Sequence, residues 1–182
     1  MKLLKSFLIL SIAILSFSMV NANAQTAAAP NGSQARSITQ QINRTILGLP
    51  NYGVFDIIKS EVNGGTVTLT GKVYSLGTKS TAARAVKSIP GVTSVVNNIE
   101  ELPPSSFDDS IRREALRTFA NEGLGGYFWE SRPDVHIIVD RGNLTLEGNV
   151  MNTGDFNRFN IYAHGVNGVF NVQNNLTVGS GR

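Results

Sequence analysis

Few residues in this 182-residue chain are suited to chemistry, and their spacing limits what that chemistry could be. There are two histidines and no cysteine. His136 stands in an apolar, strand-like run between Val135 and Ile137, where alternation points it outward, and His164 lies near a helix end. Neither has cysteines or clustered carboxylates at ligand spacing, so the pattern argues against a metal site. No serine sits in a nucleophile elbow, and no histidine has an evident acidic partner. Gly123-x-Gly125-Gly126 is glycine-rich, but it follows a helix where a phosphate loop would precede one. The expectation is a protein that is not an enzyme, with no cofactor and no small-molecule substrate.

Binding is better provided for. Tyr127-Phe128-Trp129 places three aromatic rings in a row, and Tyr and Trp suit a boundary that is dry on one side and wet on the other. Arg112, Arg113 and Arg117 precede them, and guanidinium matches phosphate bidentately. Arg113 and Arg117 are four apart and share a helix face. These six residues are the candidate membrane or partner contact. Against that stands a plainer reading, in which the aromatics fold back over a sheet and the arginines pair with Glu114 and other acids. The formal charge of +3 is too small for a dense basic field, so no nucleic acid is expected.

The elements that must position these residues come as a duplication. Gly65-Thr66-Val67-Thr68-Leu69-Thr70-Gly71-Lys72-Val73 returns 77 positions later as Gly142-Asn143-Leu144-Thr145-Leu146-Glu147-Gly148-Asn149-Val150. Each alternates apolar and polar residues, the period of a strand with one buried face. Each follows a turn signal, Asn63-Gly64-Gly65 or Asp140-Arg141-Gly142, as a hairpin's second arm would. The same offset pairs Gly91-Val92 with Gly168-Val169 and Asn97-Asn98-Ile99 with Asn174-Asn175-Leu176.

Ser37-x-x-Gln40 reads as a capping box opening the first helix, with Ile38, Ile42, Ile46 and Leu49 on one face. A strand over 55–62 is expected to turn Ile58 and Val62 inward. A second helix, about 79–88, turns in Ala82, Val86 and Ile89, and the duplicate positions are Phe159, Ala163 and Val166. A third strand runs over 92–101. The second copy opens with a helix over about 107–121, apolar at Ile111, Ala115, Leu116 and Phe119. A segment over 122–130, which carries the three aromatics, has no counterpart in the first copy. The fold class expected is α+β: two tandem αββαβ domains, each a small three-stranded mixed sheet with two helices on one face.

The N-terminus has a cationic start at Lys2 and Lys5, an apolar run over 7–20 and Ala22-Asn23-Ala24, the layout of a cleavable signal peptide. An uncleaved anchor is the alternative, but the run is shorter than the roughly 20 residues a spanning helix needs. No cysteine stands at the junction for a lipoprotein. The expected layout is 1–24 signal peptide, 25–35 disordered lead-in, 36–102 first domain, 103–106 linker and 107–179 second domain, in a periplasmic or secreted protein. Residues 32–102 carry seven basic side chains against four acidic, and residues 103–182 seven against nine. Domains of this size bury little surface alone, so the two copies are expected to lean on each other.

With these motifs in hand, the chain resembles the BON domain family, as in OsmY-like periplasmic proteins with two tandem BON domains. The resemblance rests on Gly-x-Val-Thr-Leu-x-Gly-x-Val at 65–73 and its twin at 142–150. It rests also on Ile89-Pro90-Gly91-Val92 with Val95-Val96-Asn97-Asn98, and on Val166-Asn167-Gly168-Val169 with Val172-Gln173-Asn174-Asn175. Asn167 departs from the usual proline, and the aromatic segment departs from the pattern as well. The resemblance implies a non-catalytic envelope module that binds phospholipid surfaces, in osmotic or envelope stress. The alternative is a soluble interaction or chaperone-like protein whose partners are envelope proteins.

Overall fold

A computed structural model describes residues 32–128 and 133–179. The first unit runs α1 (Gly32–Leu47), β1 (Ile57–Asn63), β2 (Thr66–Val73), α2 (Thr78–Lys87) and β3 (Ser94–Glu101). The second runs α3 (Ser106–Phe119), β4 (Val135–Asp140), β5 (Asn143–Val150), α4 (Thr153–His164) and β6 (Asn171–Val178). Each unit holds one three-stranded mixed sheet, ordered β1-β2-β3 or β4-β5-β6. The central strand is antiparallel to the strand before it and parallel to the one after. The registers repeat as well: Leu69 faces Asn97 in one sheet, and Leu146 faces Asn174 in the other. This is the α+β architecture of two tandem units that the duplicated pattern predicts.

The alternation explains which face is covered. Val67, Leu69 and Val73 of β2 are buried under α1 and α2, packed with Ile38, Ile42, Ala82, Val86 and Ile99. Leu144, Leu146 and Val150 of β5 are buried with Ile111, Ala115, Phe119, Phe159 and Ala163. The asparagine pair also has a use. Half-buried Asn97 turns toward α2 and donates Nδ2 to the Lys79 carbonyl at 2.9 Å. One boundary differs from the sequence reading, because α1 starts at Gly32 rather than Ser37. Ser37 is therefore a mid-helix residue, its hydroxyl accepting from Gln41 Nε2 at 3.3 Å instead of capping. The expected signal peptide and most of the expected lead-in lie outside the described residues.

The two units do lean on each other. Val54 and Phe55 of the first unit pack against the second unit's core. The Val54 carbonyl accepts from Ile137 N at 2.8 Å, so the segment before β1 covers the free edge of β4. Asp56 is buried and keeps that segment folded, accepting from Gly53 N at 2.8 Å and Tyr74 N at 2.7 Å. Beyond this seat the outer sheet faces enclose a cleft of about 560 Å³, lined by residues that include Thr70, Thr145 and Gln173. Among the described residues two ion pairs cross between the units, Lys59–Glu147 at 2.9 Å and Lys72–Asp140 at 2.6 Å. In both, the first unit supplies the cation and the second the anion, as the opposite charge balances of the two copies suggest.

This packing corrects the reading of His136. It does point away from its own unit's helices, but that face of β4 meets the first unit instead of water, and the ring is buried. Its Nδ1 lies 3.3 Å from the Gly53 carbonyl, beside the Tyr52 ring. Burial lowers the pKa of His136 from its ordinary value and pushes the Tyr52 phenol up to about 12.

Candidate functional site

Of the six residues the sequence nominates, the structure brings few to the surface together. Arg112 is buried, because it follows Ile111 on the inward face of α3. Its guanidinium pairs with Asp109 at 2.6 Å, donates to the Val139 carbonyl and lies 4.7 Å from the centroid of the Tyr74 ring across the unit boundary. A guanidinium committed in this way is a structural joint and not a phosphate contact. Arg113 and Arg117 are exposed, and Arg117 pairs with Glu114.

The aromatic segment is corrected in the same sense. Beyond α3 the chain makes a π turn over Ala120–Leu124 and a 3₁₀ turn over Gly125–Phe128. Gly123, at φ 77°, bends the chain back. Tyr127 is buried, and its hydroxyl donates to Asp155 Oδ2 at 2.6 Å and accepts from Met151 N at 3.0 Å. Burial raises its pKa, and the Asp155 carboxylate raises it further. Phe119, Tyr127 and Phe128 all set their rings against Phe159. The cause is Phe159 itself, which stands where the first unit has Ala82; the larger ring in α4 draws the segment's aromatics into the core. Trp129 lies outside the described residues.

A different feature of the second unit is exposed. At one tip, the N-terminus of α3, the β4–β5 turn and the start of β6 converge. Ser105 caps α3 by accepting from Asp108 N at 3.2 Å. Asp108 is buried, and its carboxylate accepts from Arg141 N at 2.9 Å and Gly142 N at 2.8 Å, which ties the turn to the helix. Arg141 is held at φ 50°, alone among described non-glycine residues in having a positive φ. Phe170 N donates to the Gly142 carbonyl at 2.9 Å, and the Phe170 ring lies over Gly142, where a Cβ would come within 2.5 Å of it.

Phe107 and Phe170 lie 5.6 Å apart with 45% and 75% of their surface exposed, and the Arg141 side chain on the adjoining turn is 82% exposed, its Nε 3.9 Å from Asp140 Oδ1. The first unit carries Gly64 and Thr93 where the second carries Arg141 and Phe170. The repeat offset was the signal that could have found this site, since it marks both substitutions.

Among the described residues no three or more His, Asp or Glu side chains gather to hold a metal ion. Among them, too, no helix is long and apolar enough to cross a membrane. The arrangement offers paired rings and a cation on a rigid turn, which suits contact with a surface.

Comparison with known proteins gives one family model that matches twice, the BON domain, over residues 34–103 and 108–180. No curated protein matches the chain. Solved structures that match include the C-terminal domain of CdsD, a structural protein of the type III secretion system of Chlamydia trachomatis. Identity there is 13% over 79% of this chain and 66% of that one, with a TM-score of 0.31. A second CdsD structure from the same organism matches at 13% identity over 79% of this chain and 94% of that one, again with a TM-score of 0.31.

Proposed function

Because the chain belongs to the BON domain family, we infer that it is a non-catalytic module of the cell envelope that binds phospholipid surfaces peripherally from the periplasm. The observation that carries this reading is the exposed Phe107–Phe170 pair with Arg141 on the adjoining turn. Full burial of a phenylalanine contributes about 2–3 kcal/mol, so moving the exposed parts of both rings out of water contributes about 3 kcal/mol. A cation near an anionic headgroup surface adds about 1 kcal/mol. Together these favour the bound state by roughly two orders of magnitude or more in partitioning, which suits reversible attachment. Arg113 and Arg117 extend the basic surface along α3.

Co-sedimentation with phosphatidylglycerol vesicles tests the reading. The wild-type chain is expected to pellet with the vesicles at low salt. The Phe107→Ser/Phe170→Ser variant should stay in the supernatant, and Arg141→Ala should bind several-fold more weakly. Undiminished pelleting of the double variant would remove the tip from the account. A second reading, contact with envelope proteins, draws on β3 and β6, which each form an open sheet edge able to take an added strand. Crosslinking in the periplasm tests it: specific envelope proteins recovered support it, and an empty profile counts against it.

A further inference from the structure

His136 links the two units at a point that has no counterpart in the binding tip. Its ring lies under the Tyr52–Phe55 segment, against Tyr52, with Nδ1 on the Gly53 carbonyl. A carbonyl can only accept, so Nδ1 carries the hydrogen in the neutral ring and Nε2 takes any added proton. Directly across the β4–β5 ladder stands Glu147, which is held by Lys59 of the first unit and by Asn175 Nδ2, both at 2.9 Å.

We propose that His136 is a pH-operated latch between the units, and that protonating its imidazole loosens the seat of the first unit on β4. Two effects act in the same direction. A cation confined beneath the Tyr52 segment costs desolvation that opening relieves. A cationic ring opposite Glu147 also competes with Lys59 for that carboxylate, and so weakens an ion pair that spans the units.

The other groups facing His136 set the window. The backbone hydrogen bonds to Gly53 and Asp56 on the covering segment, and then the Glu147 carboxylate and Asp134 just ahead of β4, all favour the cation but together do not outweigh burial. Tyr52, pushed up to about 12, stays neutral throughout. Asp56, on the covering segment, has its pKa raised by burial, so its protonation favours the closed form and opposes the latch. Asp140 is held below its ordinary range by Lys72, so the second ion pair persists through mild acid. Since the closed form lowers the pKa of His136, the latch contribution is complete above the ordinary histidine value of 6.5 and fades as pH falls below it. Opening widens the polar cleft between the sheets and turns the second unit's tip relative to the first.

The absence of cysteine allows a direct test. Ser80 and Asn157 are exposed at equivalent places in α2 and α4, and the full chain carrying Ser80→Cys and Asn157→Cys can be labelled with a donor and acceptor dye. Energy transfer should fall between about pH 7 and pH 5 with far-ultraviolet circular dichroism unchanged. The fall should vanish on His136→Gln and survive on Asp56→Asn. As a second measurement, the wild-type imidazole proton resonances should titrate with a midpoint below 6.5 that coincides with the change in transfer. Constant transfer across the range, an identical fall in the His136→Gln protein, or an imidazole midpoint detached from the opening would each overturn the proposal.

Discussion

Gly71 and Gly148 show how much of this fold depends on single atoms. Both sit mid-strand with φ near 125°, and a Cβ on either would come within 2.1 Å of the carbonyl oxygen of Ile57 or Asp134. The glycine of the Val-Thr-Leu-x-Gly motif thus lets the strand before it cross close by. Gly148→Ala should cost on the order of 3 kcal/mol or more, from strain and backbone overlap together, measured by urea denaturation. A loss under about 0.5 kcal/mol, ordinary for a surface change, would mean that the crossing is looser than described. Arg112 is the opposite case, a charge that belongs to the interior. Arg112→Ala leaves Asp109 unpaired and removes the guanidinium from Tyr74, so stability should fall by about 3 kcal/mol. If Arg112→Ala abolished vesicle binding with no change in stability, the residue would belong to the surface after all.

At the scale of elements, the repeated strands were legible because an alternating pattern states its buried face without outside help. Helix faces followed from spacing in the same way: Ile38, Ile42 and Ile46 are buried, as are Ile111, Ala115 and Phe119. The segment after α3 was not legible. An aromatic run without a periodic partner is equally consistent with a surface or a core, and only the position of Phe159 decides between them. Arg112 was misassigned for a related reason, since charge argues for exposure while its place next to Ile111 argues for burial. Tyr127 makes the corrected view testable. Tyr127→Phe keeps the ring against Phe159 but removes the hydroxyl that joins Asp155 to Met151 N, and stability should fall by about 1–2 kcal/mol. No loss on calorimetry would place that hydroxyl in solvent.

Over the whole molecule, duplication yields two units of one architecture with different duties. The first covers the open edge of β4 with Val54 and packs the partly buried Val54 and Phe55 against its neighbour's core, so the second unit alone exposes apolar surface that the full chain covers. His136 could not be placed from the sequence because its outward face is covered only once the second unit has found the first. The ion pairs across the cleft are partly exposed and contribute little each; the apolar seat supplies most of the coupling. The tip of the second unit is one place where divergence between the copies reaches solvent. Its role can be read one residue at a time, by spin labels on Phe170→Cys and Asn157→Cys proteins bound to phosphatidylglycerol vesicles. A label at 170 should be relaxed by oxygen and shielded from aqueous nickel, and a label at 157 should remain in water. Both labels remaining in water while the protein pellets with the vesicles would contradict that role.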